Sequence, residues 1–354
     1  NGMENSYLLN AAAEWLDRVA GASPLVVSCS FGGHGSGHDG QMVAERQLNE
    51  RFPLNGAGRA IVIAAGNEGR APIHAEATFG DRKSAKLIGW DALEPGAVLN
   101  IYFDSAEEGI AIAPAANTQL GTPRWDLNPF TGQASVTLKL ARGPGGLWLF
   151  NESGKQTKAH LFLPDGAPAA AFWPEMATYS TLVGEPGTAA NAITVGSYDW
   201  NDNFHRDGSL ITLLEVCPGS DGARSPLEIG KISCYSSPGP TRTGKVKPEI
   251  VAPGEWYSAS YAKVPGRGGV EGWRDIDTTG NYAGMNGTSS ATPYTAGVIA
   301  LMFQKKPTLT LGEVRSLLTT KASRDPFTGA LPNKHWGHGK LDMAAVGRIF
   351  AALN

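Results

Sequence analysis

At 354 residues the chain has room for one large α/β body or two average domains, and its 42% hydrophobic content can bury a core, which excludes disorder. Thirty basic against 33 acidic residues give a net charge of -3 with no run of one sign, which disfavours electrostatic binding to nucleic acid. The 45 glycines are nearly twice the usual share and follow no collagen period, so they point to tight turns and close backbone approaches.

The first 21 residues lack a basic stretch followed by an apolar one, so no signal peptide is expected there. Nor does any run approach the 18 or so apolar residues of a membrane span. Residues 6–19 predict an amphipathic helix with Leu8, Leu9, Ala12, Trp15, Leu16 and Val19 on one side, stopped by Gly21 and Pro24. The almost wholly apolar run LVVSCSF (25–31) suits a strand of a parallel sheet covered on both faces. Gly32-Gly33 ends it, and a helix is predicted from Asp39, as N-cap, to about Arg51. RAIVIAAGNEG (59–69) reads as a second buried strand ending in a glycine turn, which completes a right-handed βαβ unit.

The pattern then changes. Between about 75 and 178, alternating segments at 97–103, 109–114, 134–141, 146–151 and 158–164 are separated by turn residues. They predict an antiparallel sandwich or jelly roll. Buried-strand segments return at 191–199 and 248–254, followed by a buried helix over 291–303 and a last helix near 311–322. The expected organisation is an α/β domain made of 1–74 and 180–354, interrupted by a β insert over 75–179. Cys29, Cys217 and Cys234 have no CxxC spacing and make no zinc set. Cys217 and Cys234 could pair; free thiols are the simpler reading.

Two motifs carry chemistry. In MNGTSSATPYTAGVIALM (285–302) a serine sits in a Gly-Thr-Ser turn that opens a buried helix, with Pro293 early in it. The positive end of the helix dipole would stabilise a developing oxyanion there, although Thr288 or Ser289 could simply be an N-cap. In AAGNEG (64–69) an asparagine follows a buried strand on a glycine turn, where its amide could donate to an oxyanion. By itself such an asparagine is better read as a turn residue.

Together these motifs resemble the subtilisin-like serine proteases (subtilases). The likeness extends to SFGG after the first strand, to GTAANAITVGSYD (187–199), to SSPGPTRTGKVKPEIVAPG (236–254) and to WGHGKLDMAAV (336–346), all in family order. It implies a three-layer α/β fold with a parallel sheet, here without its N-terminal strands, and a serine endopeptidase acting by acyl transfer. Ser289 would be the nucleophile, and Asn67 an oxyanion donor together with the Ser289 N–H. Ser30, Phe31, Gly32 and Gly33 would line the cleft and pair with an extended peptide. Ala64, Ala65 and Gly66 would form the other wall of the specificity pocket.

One departure matters. The family's Asp and His precede the serine, on elements upstream of the SFGG strand, and no matching segment is found here. A serine without its base is a weak nucleophile. The chain alone is therefore expected to be nearly inert, with an N-terminal fragment carrying Asp and His as its partner. The alternative is an inactive homologue serving as a binding or regulatory module. Calcium is frequent in the family, but no ligand set matches, so no cofactor or metal is assigned. The family also suggests a secreted or cell-surface bacterial setting.

Several features invite other readings and are set aside. His34-Gly35-Ser36-Gly37-His38 echoes the family's histidine motif but lacks an apolar helical continuation, so a surface turn is expected. His335 and His338 flank a glycine turn, and His205, Asp199 and Asp202 fall in a predicted loop. GPTRTGKV (239–246) nearly spells a phosphate loop, yet Val246 stands where Ser or Thr is needed. Trp125, Trp148 and Trp173 could suggest a glycan platform on the insert, although packing is the commoner use.

Overall fold

The computed structural model describes residues 2–103, 109–206, 209–217, 224–260, 274–275 and 281–354. Helix α1 (Gly2–Ala20) leads into β1 (Leu25–Cys29), α2 (Val43–Arg51) and β2 (Arg59–Ala64). Nine strands follow: β3 (His74–Phe79), β4 (Ser84–Ala92), β5 (Val98–Phe103), β6 (Ile110–Pro114), β7 (Arg124–Leu127), β8 (Ala134–Lys139), β9 (Gly143–Asn151), β10 (Thr157–Phe162) and β11 (Ala170–Phe172). Next come β12 (Ile193–Tyr198), β13 (Asn203–Arg206), β14 (Ser209–Thr212), β15 (Leu214–Val216), β16 (Arg224–Pro226), β17 (Ile250–Pro253), β18 (Tyr257–Ser260), β19 (Arg274–Asp275) and β20 (Tyr282–Met285). The chain finishes with α3 (Thr288–Lys305), α4 (Leu311–Thr320) and α5 (Met343–Ala352).

The α/β body is built on a parallel sheet in the order β1–β2–β12–β17. Register is fixed by pairs such as Val27 with Ile61 and Val195 with both Ala64 and Ile250. Ile61, Val62 and Ile63 are fully buried, as expected of a strand covered on both faces. Each such side chain contributes about 1.5–3 kcal/mol by leaving water. Helix α3 packs along all four strands, so the turn that opens it is held at one end of the sheet.

The N-terminal helix buries only part of the predicted side, rotated towards Leu9 and Leu16. Leu9 and Ala13 enter the core and Leu16 packs partly against it, whereas Leu8, Trp15 and Val19 are 67%, 56% and 65% exposed. The two stripes are neighbours on one helix, and packing of α1 against β1 and α2 selects 9/13/16. Asp39 is likewise not the cap of α2. That helix starts at Val43, and Glu45 reaches back to the Met42 N–H at 3.1 Å. Asp39 is buried and holds Arg242 at 2.7 Å, a stronger partner than a helix terminus. Cys217 and Cys234 form a disulfide, in place of the simpler free-thiol reading, while Cys29 is a buried thiol that burial pushes up to about 12.

Strands β3 to β11 form two antiparallel sheets, β3–β10–β5–β8–β7 and β11–β4–β9–β6, facing each other over a core of their own. The alternating segments of the sequence correspond to β5, β6, β8, β9 and β10. Strands β3, β4, β7 and β11 and helix α5 had no distinct signal. On the outer face of β3 and β10, alternation places His74, Glu76, His160 and Phe162 together. His38 of the α/β body stacks on Phe162 with ring centroids 4.0 Å apart, and Arg242 reaches Gln133 at 2.8 Å. The stretch 34–38 is thus buried at the junction of sandwich and body, not a surface turn: His34 is 7% exposed and His38 fully buried. Trp125 and Trp148 lie on opposite sheets, and Trp173 packs over Gly89, so the three tryptophans do not form one platform. No helix follows the 239–246 turn; the chain runs on into β17.

Candidate active site

The site forms where three chain segments meet at the ends of β1 and β2 and the start of α3. Gly287, with φ +118°, turns the chain into α3, so that Thr288 and Ser289 are its first residues. The Thr288 N–H donates to Asn67 Oδ1 at 2.9 Å, and the Thr288 hydroxyl lies 3.0 Å from the same oxygen. Both contacts fix the carbonyl end of the Asn67 amide and leave its Nδ2 turned the other way. A Cβ placed on Gly287 would stand 3.2 Å from Asn67 Nδ2 and 3.6 Å from the Ser289 nitrogen. Both donors thus lie against the Gly287 backbone, with the Thr288-bound Asn67 Oδ1 at 3.5 Å from the same point. The Ser289 N–H, in the first turn, has no acceptor within its helix. Amide, backbone N–H and helix dipole converge where negative charge would be stabilised.

Ser289 is half-buried. Its hydroxyl lies 3.4 Å from the Ser30 carbonyl, and the Ser30 hydroxyl donates to the Ser289 carbonyl at 2.9 Å, tying the end of the first strand to the start of α3. Among the described residues no imidazole hydrogen-bonds the Ser289 hydroxyl. A cavity of 190 Å³ opens beside it, lined by Ser30, Phe31, Gly32, Gly33, Ala64, Ala65, Gly66 and Asn67, so the structure brings all nine predicted site residues together. Gly33 and Glu185 exchange both backbone hydrogen bonds, each 2.9 Å, and the Gly184 N–H donates to Ala65. The 184–185 segment thereby bridges the two walls. Close contact is required there: a Cβ on Gly32 would stand 2.8 Å from the Glu185 carbonyl oxygen.

Four lining residues were missed as site residues: His34, Glu68, Gly184 and Thr288. Thr288 was visible only as a possible cap. His34 Nε2 and Glu68 Oε2 are 3.2 Å apart, and the Ser237 hydroxyl also supports Glu68 at 3.1 Å. Burial disfavours charge on His34, but the hydrogen bond and charge of Glu68 outweigh it, and its pKa is raised. For Glu68 burial again opposes charge, and the bonds from His34 and Ser237 bring its pKa down. The stability from His34 is full below about pH 6.5 and lost as pH rises through its raised pKa; that from Glu68 is full above about pH 4.5 and lost as pH falls through its lowered one. Glu68→Gln should therefore destabilise most between about pH 4.5 and 6.5. Denaturant titrations of both proteins across this range measure the difference; a gap that widens steadily above pH 8 contradicts the pairing.

A parallel sheet with a serine at the start of its central helix, facing an asparagine on the adjoining glycine turn, defines a subtilisin-like α/β body. The sequence model of the Subtilase family (Peptidase_S8) matches residues 176–339 of the chain. It is 31% identical over 154 residues to the serine protease AprX of Bacillus subtilis, covering 44% of this chain and 29% of AprX. It is 32% identical over 155 residues to the extracellular serine protease of Aeromonas sobria, covering 39% of this chain and 25% of that one. The chain thus spans less than a third of either relative. Among solved structures, the CspB protease of Clostridium perfringens superposes with a TM-score of 0.72 at 20% identity, covering 98% of this chain and 70% of that chain. The shared fold extends over nearly the whole chain. No helix among the described residues is long and apolar enough to cross a membrane.

Proposed function

We propose that the chain carries the nucleophile, oxyanion site and substrate cleft of a subtilisin-like serine endopeptidase, and that the catalytic Asp and His come from a segment outside these 354 residues. The observation that carries this reading is the pairing of Asn67 Nδ2 with the Ser289 N–H around Gly287. Ser289 Oγ attacks the carbonyl carbon of a peptide while the external His takes its proton. The oxyanion rests between Asn67 and the Ser289 N–H. The amine leaves with the proton returned by His, and water then hydrolyses the acyl-enzyme. Because Gly33 is already bonded to Glu185, pairing with an extended peptide falls to Ser30–Gly32.

Two features support the external segment. Strand β1 lies at the edge of its sheet, with β2 as its partner on one side. The exposed stripe of Leu8, Trp15 and Val19 on α1 offers apolar area for something to cover. The division into an α/β domain (1–74 and 180–354) and an insert (75–179) belongs to the same reading, supported by the two separate cores. The Cys217–Cys234 disulfide suits an oxidising compartment, hence a secreted or cell-surface protein.

A second reading is an inactive homologue acting as a binding or regulatory module, favoured by the absence of an imidazole on Ser289 among the described residues. A fluorophosphonate probe separates the two. In the assembled protein, with the segment bearing Asp and His present, labelling should map to Ser289. An intact assembly that stays unlabelled supports the inactive module.

A further inference from the structure

Away from the cleft, two strands of the sandwich bring three metal-ligating side chains together. His74 and Glu76 are two residues apart on β3 and so share a face, and His160 on β10 is the cross-strand partner of Glu76. His74 Nε2 lies 3.1 Å from His160 Nδ1, and Glu76 Oε1 lies 3.6 Å from His160 Nδ1 and 4.0 Å from His74 Nε2. With metal–ligand bonds of about 2.0–2.2 Å, neighbouring ligand atoms in a tetrahedral zinc site are about 3.3–3.5 Å apart. Here the His160 Nδ1–H donates to His74 Nε2, with the two rings 6° from parallel, so ion binding requires the His160 proton to move to Nε2 and both rings to swing until their lone pairs meet at the ion.

The surroundings favour that use. His74 Nδ1 donates to the Ser180 carbonyl at 2.7 Å, which fixes the tautomer and leaves Nε2 as the acceptor that an ion would take over from the His160 N–H. Lys158 holds Glu76 Oε2 at 3.1 Å, so Oε1 is the oxygen turned to the rings. The lysine's charge balances the carboxylate and limits affinity, since the site then offers a cation little net negative charge. Both histidines are buried and Glu76 is half-buried.

We propose that His74, Glu76 and His160 bind a divalent transition-metal ion of the zinc class. Two imidazoles and one carboxylate suit zinc, cobalt or nickel rather than calcium or magnesium, which take oxygen donors. The ion would clamp the β3–β10 edge of the sandwich and, through Ser180, the segment returning to the α/β body. A fourth position would be left for water.

The test uses the full chain after chelator treatment, titrated calorimetrically with zinc chloride. One equivalent should bind and raise the melting temperature, and cobalt should give the visible absorption of a tetrahedral site. Glu76→Gln and His160→Gln should each weaken binding by about tenfold or more, while His338→Ala leaves it unchanged. If His160→Gln does not fold, Glu76→Gln, at a half-buried position, carries the comparison. Absence of zinc binding by the chain, or equal binding by chain and variants, overturns the proposal; equal binding would mark adventitious capture by other histidines.

Discussion

In the proposed assembly with a segment bearing Asp and His, Asn67→Ala is expected to lower kcat by about 10²–10³ and to leave KM nearly unchanged, the scale known for losing one oxyanion donor in a subtilisin. The split follows from geometry. Asn67 spends its carbonyl oxygen on Thr288, so its amide is the part left for chemistry. An amide aimed at the oxyanion position gains strength only when the carbonyl oxygen becomes charged, which places its effect in the transition state. A substrate-binding role would instead raise KM. Ser289→Ala, by contrast, removes the atom that forms the acyl bond and should abolish both turnover and fluorophosphonate labelling. If Asn67→Ala keeps full kcat while Ser289→Ala is dead, the oxyanion site lies elsewhere. If neither changes an activity of the assembly, that activity does not arise from this cleft.

The elements that could be read from the sequence are those whose apolar pattern is dictated locally. The strands around Ile61, Val195 and Ile250 are buried on both faces, and near-continuous apolar runs announced them; the run around Val27 announced β1 as well, but that edge strand leaves Ser28 exposed and Leu25 and Val26 half-buried. Helix α1 was equally visible, but which of its two apolar stripes faces inward depends on α2 and β1, and nothing local distinguishes Leu8 from Leu9. Within the sandwich, β7 is fully exposed and β4 opens with an exposed Ser-Ala-Lys stretch, so neither shows clean alternation. The nine predicted site residues meet in one cleft because eight of them lie at the ends of β1 and β2 or on the glycine turns that follow, and Ser289 opens α3 just after Gly287, signals confined to a few residues. His34 and Glu68 were missed because their pairing joins positions 34 residues apart, and only the closed fold reveals a partner. The Asp39–Arg242 and His74–His160 contacts are hidden for the same reason.

A second large effect is expected far from the cleft. Glu249→Ala should destabilise the chain by about 3–5 kcal/mol, out of the roughly 5–15 kcal/mol usual for a domain. Glu249 receives Lys247 at 2.8 Å, Arg315 at 3.5 Å and the Thr194 N–H at 2.8 Å, and Lys247 also donates to the Ala192 carbonyl and the Thr194 hydroxyl. Lys247 is almost wholly buried, so removal of the carboxylate leaves an ammonium without its counter-charge between β12 and β17. Burial already lowers the Lys247 pKa against the opposing pull of Glu249, and the variant lowers it further. A lysine with a lowered folded pKa binds more protons when unfolded, so its penalty is full below the folded pKa and shrinks as pH rises through it towards about 10. Replacing both residues together, Lys247→Met with Glu249→Leu, removes the stranded charge and should recover most of the loss. Denaturant melts of the single and double variants at pH 7 and pH 9.5 measure all three expectations. A Glu249→Ala penalty below about 1 kcal/mol would mean that Lys247 is neutral in the native protein and that the pair works as an ordinary hydrogen bond, and one that grows with pH would rule out a stranded ammonium as its cause.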